Sequence, residues 1–516
     1  MLILSEAGER NPHVLPTNSP CLLWQFFLFA SDRWSPIEFH FPDFDFSIFA
    51  FLFFPFSTYH LPMPHYPPGP EQGFFDGLRS PLRQDPLGFM SRAAREYGDI
   101  ACLRFFNIRT YILFSPDLIE DVLINNSKKF IKGRVLRANR HIFGNGLLTS
   151  EGDFWLRQRR MMQPAFHRNR IANYASTMTV CASRLLESWK SGDTIDLHDA
   201  MMRLTLEIVG KTLFHADVER DAPQVGENLH VLLEFTADFR RLVMTPKWLP
   251  TRLNRQANRA VRNLTAIIDR IIQQRRESND DAGDLLSLLI HAQDEDGSRM
   301  TTQQLRDEAL TLFLAGHETT ASSLSWTWWL LAQTPRVEQK LHAELDSVLN
   351  GRSPTLDDLP NLPYTGHILS ESMRLYPPAW AIARLAVEDH QLAGFPVPKG
   401  TGIAAVPWVV HRDPRWFENP EQFLPERWEG DLLKKIPRFA YFPFSFGPRQ
   451  CIGNSFALLE ANLVLATIAQ QFRFNLIPGQ PVAPLASITL RPRHGLHVSV
   501  ESRTADLAAG MSACRH

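Results

Sequence analysis

From Glu151 to about Leu349 the sequence is dominated by helical periodicity, interrupted at acidic or proline-marked points such as NDDAGD at Asn279. A run of that kind hides its apolar stripes by packing helix on helix, which commits the chain to a largely helical architecture. The spacing predicts helices from Phe154 to Gln163, Ile195 to Phe214 and Leu253 to Arg276, with a longest one from about Thr302 to Ala332. Short strands are expected before this region, in YGDIACLRFFNIRTYILF from Tyr97, and after it, around SITLRPRHGLHVSV. Prolines punctuate the last third, in LYPPAW and RDPRWFENPEQFLPERW, before one more helix from about Asn454 to Gln471. No internal repeat or low-complexity linker divides the 516 residues. The expectation is therefore one domain over 63–503, mainly α with a smaller β part (α+β), and a short tail, 504–516.

The first 62 residues differ, holding 12 of the 36 phenylalanines without helical periodicity or capping signals. Their longest apolar stretch, FSIFAFLFFPF from Phe46, is about half of the roughly 20 residues that span a bilayer, and it contains Pro55. Two readings stand: an extension that is not native, with the true start at Met63, or a weak membrane anchor ending at the rigid PPGP of Pro67 to Pro70. A formal net charge of -1 excludes the global basic excess of a nucleic-acid binder and confines membrane association to residues 1–62. Five scattered cysteines without CxxC or Cys/His spacing exclude a disulfide framework or zinc site and fit a reducing, cytoplasmic setting.

One of those cysteines has unusual company. In FSFGPRQCIG, Gly447 and Gly453 permit close backbone approach, Arg449 supplies fixed positive charge, and Cys451 stands just before the amides of a helix N-terminus. Those features favour a thiolate over an inert buried thiol. The loop resembles that of the haem-thiolate monooxygenases, the cytochrome P450 family, through Phe444, Gly447, Arg449, Cys451 and Gly453. The resemblance implies a triangular helical domain whose long central helix crosses a haem b, with Cys451 as the iron ligand.

Three further stretches carry the same likeness. ESMR places Glu371 and Arg374 on one helical face, and PERW offers Arg427; the resemblance implies a buried network of the three that braces the cysteine loop. In LFLAGHETTASSLSW the resemblance implies that Ala315 and Gly316 bring the helix backbone close to a flat ligand, while Glu318 and Thr319 deliver protons. A Thr hydroxyl there can divert a helix carbonyl and open a groove, and His317 is not taken as a ligand. Trp155 and Arg159 in FWLRQRRMM share a face, and with Arg384 and Arg449 they match positions that reach haem propionates.

The implied reaction inserts one oxygen atom of O2 into a lipophilic substrate: a fatty acid, terpenoid, carotenoid or xenobiotic. PPAWAIA, ASITL and Leu312 to Ala315 are expected to line an apolar pocket. With no dinucleotide fingerprint, electrons are expected from a separate ferredoxin- or flavodoxin-type donor, docking on a basic patch of Lys434, Lys435, Arg438 and Arg449. The alternatives are a peroxide-driven peroxygenase or oxygen-independent isomerase, and a non-enzymatic haem sensor.

Overall fold

The computed structural model describes residues 65–70, 84–105, 108–215, 222–237, 249–278, 284–293 and 297–503. The expectations for residues 1–62 and for the tail, 504–516, lie outside these. The helices that position the site are α1 (Gly152–Met162), α2 (Leu197–Leu213), α3 (Thr302–Gln333), α4 (Pro363–Leu375) and α5 (Asn454–Gln471). Long helices at Ala222–Ala237 and Arg252–Ser278 pack beside them. Among the described residues no helix is long and apolar enough to cross a membrane.

Helix α3 begins at a capping box, in which the Thr301 hydroxyl receives the Gln304 amide and the Gln304 side chain receives the Thr301 amide. It ends where Thr334 leads into Pro335, which starts the next helix. Between these ends both faces of α3 are buried, as expected of a helix passing through a core. It packs most extensively on α2. There the missing side chain of Gly316 matters, because a Cβ would stand 3.1 Å from Val209 Cγ2, and the Thr205 hydroxyl donates to the His317 carbonyl across the contact at 3.0 Å.

The β part consists of β1 (Ile100–Phe105), β2 (Ile108–Leu113), β3 (Phe130–Lys132), β4 (Thr194–Asp196), β5 (Ile382–Ala386), β6 (His390–Leu392), β7 (Phe395–Val397), β8 (Gly402–Ala405), β9 (Phe472–Leu476), β10 (Pro484–Ala486), β11 (Leu490–Pro492) and β12 (His497–Ser502). One sheet has the order β1-β2-β8-β5-β3, antiparallel except for the β2–β8 pair. A second has the order β4-β12-β9, and β6–β7 and β10–β11 are hairpins. The helix expected from Ile195 starts later, because Thr194–Asp196 pairs with His497–Ser499 and Asp196 then caps α2 by receiving the His198 amide at 3.0 Å. A partner three hundred residues away in sequence decides those three residues, and local periodicity cannot register it.

A fully buried histidine ties the helical core to the loop ahead of Cys451. His411 Nε2 receives the Phe442 amide at 2.9 Å, which requires that nitrogen to be unprotonated. Burial, followed by the positive charges of Arg374 and Arg412, pushes the imidazole from its ordinary 6.5 down to about 3. The unfolded chain therefore takes the proton first: this stabilisation is complete above pH 6.5 and drains away as pH falls towards 3. Urea unfolding at pH 7 and pH 5 is expected to show a loss of about 2 kcal/mol from this group. A His411→Gln protein, weaker at pH 7, should lose correspondingly less over the same interval.

Candidate functional site

A cavity of about 400 Å³ lies between α3 and the loop carrying Cys451. Ala315, Gly316, Glu318 and Thr319 border it from α3, and Phe444 and Cys451 from the loop. Its other walls are mainly aliphatic and aromatic, including Leu312, Pro378, Ile382 and Ile488 from the segments expected to form a pocket. Trp155, Arg159, Arg384 and Arg449 line it too, so the structure brings every residue assigned to haem and proton delivery to one cavity.

The cysteine loop owes its shape to a close contact. Gly447 has φ +76°, and a Cβ there would lie 2.5 Å from the Leu123 carbonyl oxygen, so both backbone and space require glycine. The Cys451 amide turns back to the Phe444 carbonyl at 3.0 Å. The local environment does not favour a free thiolate as expected: burial pushes the thiol up, opposed by the Gly453 amide, then by Arg159 and Lys132. A bound metal ion reverses that balance, since a coordinating thiol is deprotonated. Gly316 borders the cavity through its backbone, while its vacant Cβ direction faces Val209 of α2.

Around the rim the cations are only partly committed. Arg449 is paired with Glu151, donates to the Ser150 carbonyl at 3.0 Å and stacks 3.8 Å from the Trp155 ring centre. Arg159 donates to the Gln450 carbonyl at 2.8 Å. Strand pairing of β3 with β5 sets Lys132 directly opposite Arg384, both in the cavity wall. Like charges in that register are destabilising. Burial first, then Arg384 and Arg449, pushes Lys132 down to about 7, and burial, then Arg449, pushes Arg384 down to about 10. Among the described residues no carboxylate pairs with either. Such a cluster beside a cysteine and an apolar gap suits a flat, dianionic macrocycle, so the residues present fit a haem b. Lys132 and Glu151 were not singled out from sequence; only the strand register and the contact between loops bring them to the rim.

On the opposite wall the Thr319 hydroxyl donates to the Ala315 carbonyl at 2.7 Å, while α3 continues as regular α-helix through this point, without the expected groove. Glu318, 2% exposed with its neighbours packed around it, receives the Thr489 hydroxyl at 2.5 Å. His317 is turned away, its Nδ1 bonded to the Phe313 carbonyl at 2.5 Å.

Beneath the cysteine loop Glu371, Arg374 and Arg427 come together. Arg374 meets Glu371 in a two-point contact, Nε to Oε2 at 2.9 Å and Nη2 to Oε1 at 2.8 Å. Arg427 Nε adds 2.9 Å to Oε1, and the Trp428 indole adds 2.9 Å to Oε2. The expected basic docking patch is altered: Arg449 turns inward, Lys434 pairs with Asp431 at 2.7 Å and Arg438 with Glu120 at 3.4 Å.

The sequence profile of the family described as Cytochrome P450 matches residues 64–497. Cyclooctat-9-en-7-ol 5-monooxygenase of Streptomyces melanosporofaciens is 39% identical over 403 residues, 77% of this chain and 87% of that protein. Cyclooctatin synthase of the same organism is 39% identical over 415 residues, covering 79% and 90%. Pentalenene oxygenase of Streptomyces avermitilis is 35% identical over 428 residues, covering 82% and 94%.

Arg374→Ala is expected to leave the buried Glu371 with only one of its two cations and to unpair three loop carbonyls, at a cost of about 3–5 kcal/mol in chemical denaturation. Arg374→Lys should recover little of this, because an ammonium cannot reproduce the two-point contact.

Proposed function

The chain belongs to the cytochrome P450 family and is a haem-dependent monooxygenase of lipophilic substrates, and on that premise we propose that Cys451 is the thiolate ligand, that Glu318 and Thr319 deliver protons, and that the substrate is a polycyclic terpenoid. The observation that carries this reading is the placement of one sulfur and one acid–hydroxyl pair on opposite walls of a single, otherwise apolar cavity. Haem, when bound, supplies the iron that activates O2, and a thiolate ligand favours O–O cleavage. The rest falls to the chain. Arg159, Arg384 and Arg449, with Lys132, would hold the two propionates, Trp155 backs Arg449, and Phe444 lies beside the cysteine. Thr319 keeps its own proton on the Ala315 carbonyl, leaving its lone pairs to accept an incoming one.

The acid–hydroxyl pair supports oxygen activation over a peroxide-driven or isomerising reaction. The apolar walls exclude water, which limits loss of electrons to peroxide. Relatives named for steps on cyclooctatin precursors and on pentalenene support a terpenoid over a fatty acid. Electrons come from a redox partner, for which we propose a small ferredoxin or flavodoxin. Cysteines scattered without CxxC or Cys/His spacing support a reducing cytoplasm as the place of action.

Reduced, haem-replete protein should give a strongly red-shifted Soret band with carbon monoxide, and Cys451→Ser should abolish it. Polycyclic terpene hydrocarbons and alcohols are expected to shift the ferric spin state, with long-chain fatty acids inactive. The reverse ranking would overturn the substrate assignment, and a red-shifted band surviving in Cys451→Ser would overturn the ligand.

A further inference from the structure

Glu318 leaves the central helix and meets a group from a distant part of the chain. Its Oε1 receives the Thr489 hydroxyl at 2.5 Å. Glu318 is 2% exposed and Thr489 5%. No described residue holds Oε2. Both side chains border the cavity.

Thr489 stands in the turn between β10 and β11, and that turn is fixed from several directions. Ser487 donates to the Thr489 carbonyl through its amide at 3.1 Å and its hydroxyl at 3.0 Å. The Trp380 indole donates to the Ser487 carbonyl at 2.8 Å, and the Leu490 amide to the Pro378 carbonyl at 2.9 Å. The Trp326 indole donates to the Leu490 carbonyl at 3.0 Å, and Trp326 belongs to α3 itself, about two turns beyond Glu318. Trp326 thus pins the helix to the turn beside the Glu318–Thr489 bond, and Pro378 and Trp380 hold the same turn from a separate segment. A hydroxyl held so firmly fixes its partner's rotamer, whereas a carboxyl bonded only to water would sample several.

We propose that Thr489 is a positioning residue for proton delivery: it holds one oxygen of Glu318 so that the other carries the transferable proton to the cavity. The inference rests on Glu318 being the acid proposed above. The proton leaves Oε2 and passes by the Thr319 hydroxyl or a water to the oxygen atom being reduced. Solvent returns a proton to the carboxylate, so Glu318 ends each turnover unchanged. O2 is the oxidant: with two electrons from the redox partner and two protons, delivered one after the other along this route, one of its oxygen atoms leaves as water while the other enters a C–H bond of the substrate. Burial pushes the Glu318 carboxyl up, against Thr489 and the Arg491 guanidinium from β11, which keeps it available as an acid.

The test compares Thr489→Val, which removes the hydroxyl but keeps the shape, with Thr489→Ser, which keeps the hydroxyl. Haem content and the carbon monoxide band should match wild type in both. With Thr489→Val, peroxide released per electron pair should rise several-fold, and Thr489→Ser should restore coupling. Independently of turnover, the infrared carbonyl stretch that disappears in Glu318→Gln should move to higher frequency in Thr489→Val and stay in place in Thr489→Ser. Thr489→Ala replaces Thr489→Val if that protein fails to take up haem. Unchanged coupling despite a shifted carbonyl band would overturn the proposal, as would a band that does not move. Unchanged coupling in Glu318→Gln would instead overturn the assignment of the acid itself.

Discussion

Glu371 and Arg374 meet where neither has any contact with solvent, and the long proline-punctuated segment before the cysteine loop is organised around that contact. This segment has little ladder or helix of its own, so its backbone carbonyls need donors from elsewhere. Arg374 supplies them to His411, Pro420 and Gln422, at 2.8, 2.7 and 3.0 Å. Arg427 supplies them to Glu418 and Asn419, at 2.9 and 3.3 Å. Glu371 neutralises both cations and also receives the Leu424 amide at 3.0 Å. One carboxylate and two guanidiniums thereby do for an irregular loop what repeated hydrogen bonds do for a sheet. The bracing continues upward, since His411 in turn receives the Phe442 amide and the Tyr441 hydroxyl donates to Ser370 of α4 at 3.0 Å. The sulfur of Cys451 is held in place by a frame whose members are all polar and nearly all buried.

Much of this was legible in the sequence because the residues concerned lie close together along the chain. Glu371 and Arg374 are three apart on a helix, Glu318 and Thr319 are adjacent, and the glycine, arginine and cysteine of the loop fall within one short stretch. The longest helix was visible in its periodicity, and its capping box fixes where it starts. What escaped is what strand pairing and loop packing create. Lys132 gains its place only when β3 pairs with β5, Glu151 only when its loop meets Arg449, and Thr489 only when the β10–β11 turn closes on α3. The departure at Ile195 has the same origin, in a pairing with β12.

Gly316 shows a subtler limit. The residue type was read correctly as a demand for close approach and its backbone borders the cavity, but the surface that a Cβ would crowd is Val209 of α2. Sequence records that a side chain is unwelcome without recording from which side. Cys451, which opens into the cavity, is similar: motif and helix start point towards an anion, while the protein mass around the sulfur opposes one until a cation arrives.

The opposition of Lys132 and Arg384 across two strands has a consequence for how the protein is made. Two cations placed face to face, with Glu151 as the one carboxylate among the described residues acting on them, raise the free energy of the cofactor-free fold relative to the unfolded chain, where they separate into water. A dianionic macrocycle that binds only the folded state removes this penalty and adds its own binding free energy to stability, by mass action. Folding and cofactor capture are therefore one linked equilibrium. In a producing cell, chains that have captured porphyrin spend less time unfolded and open to proteases than chains that have not.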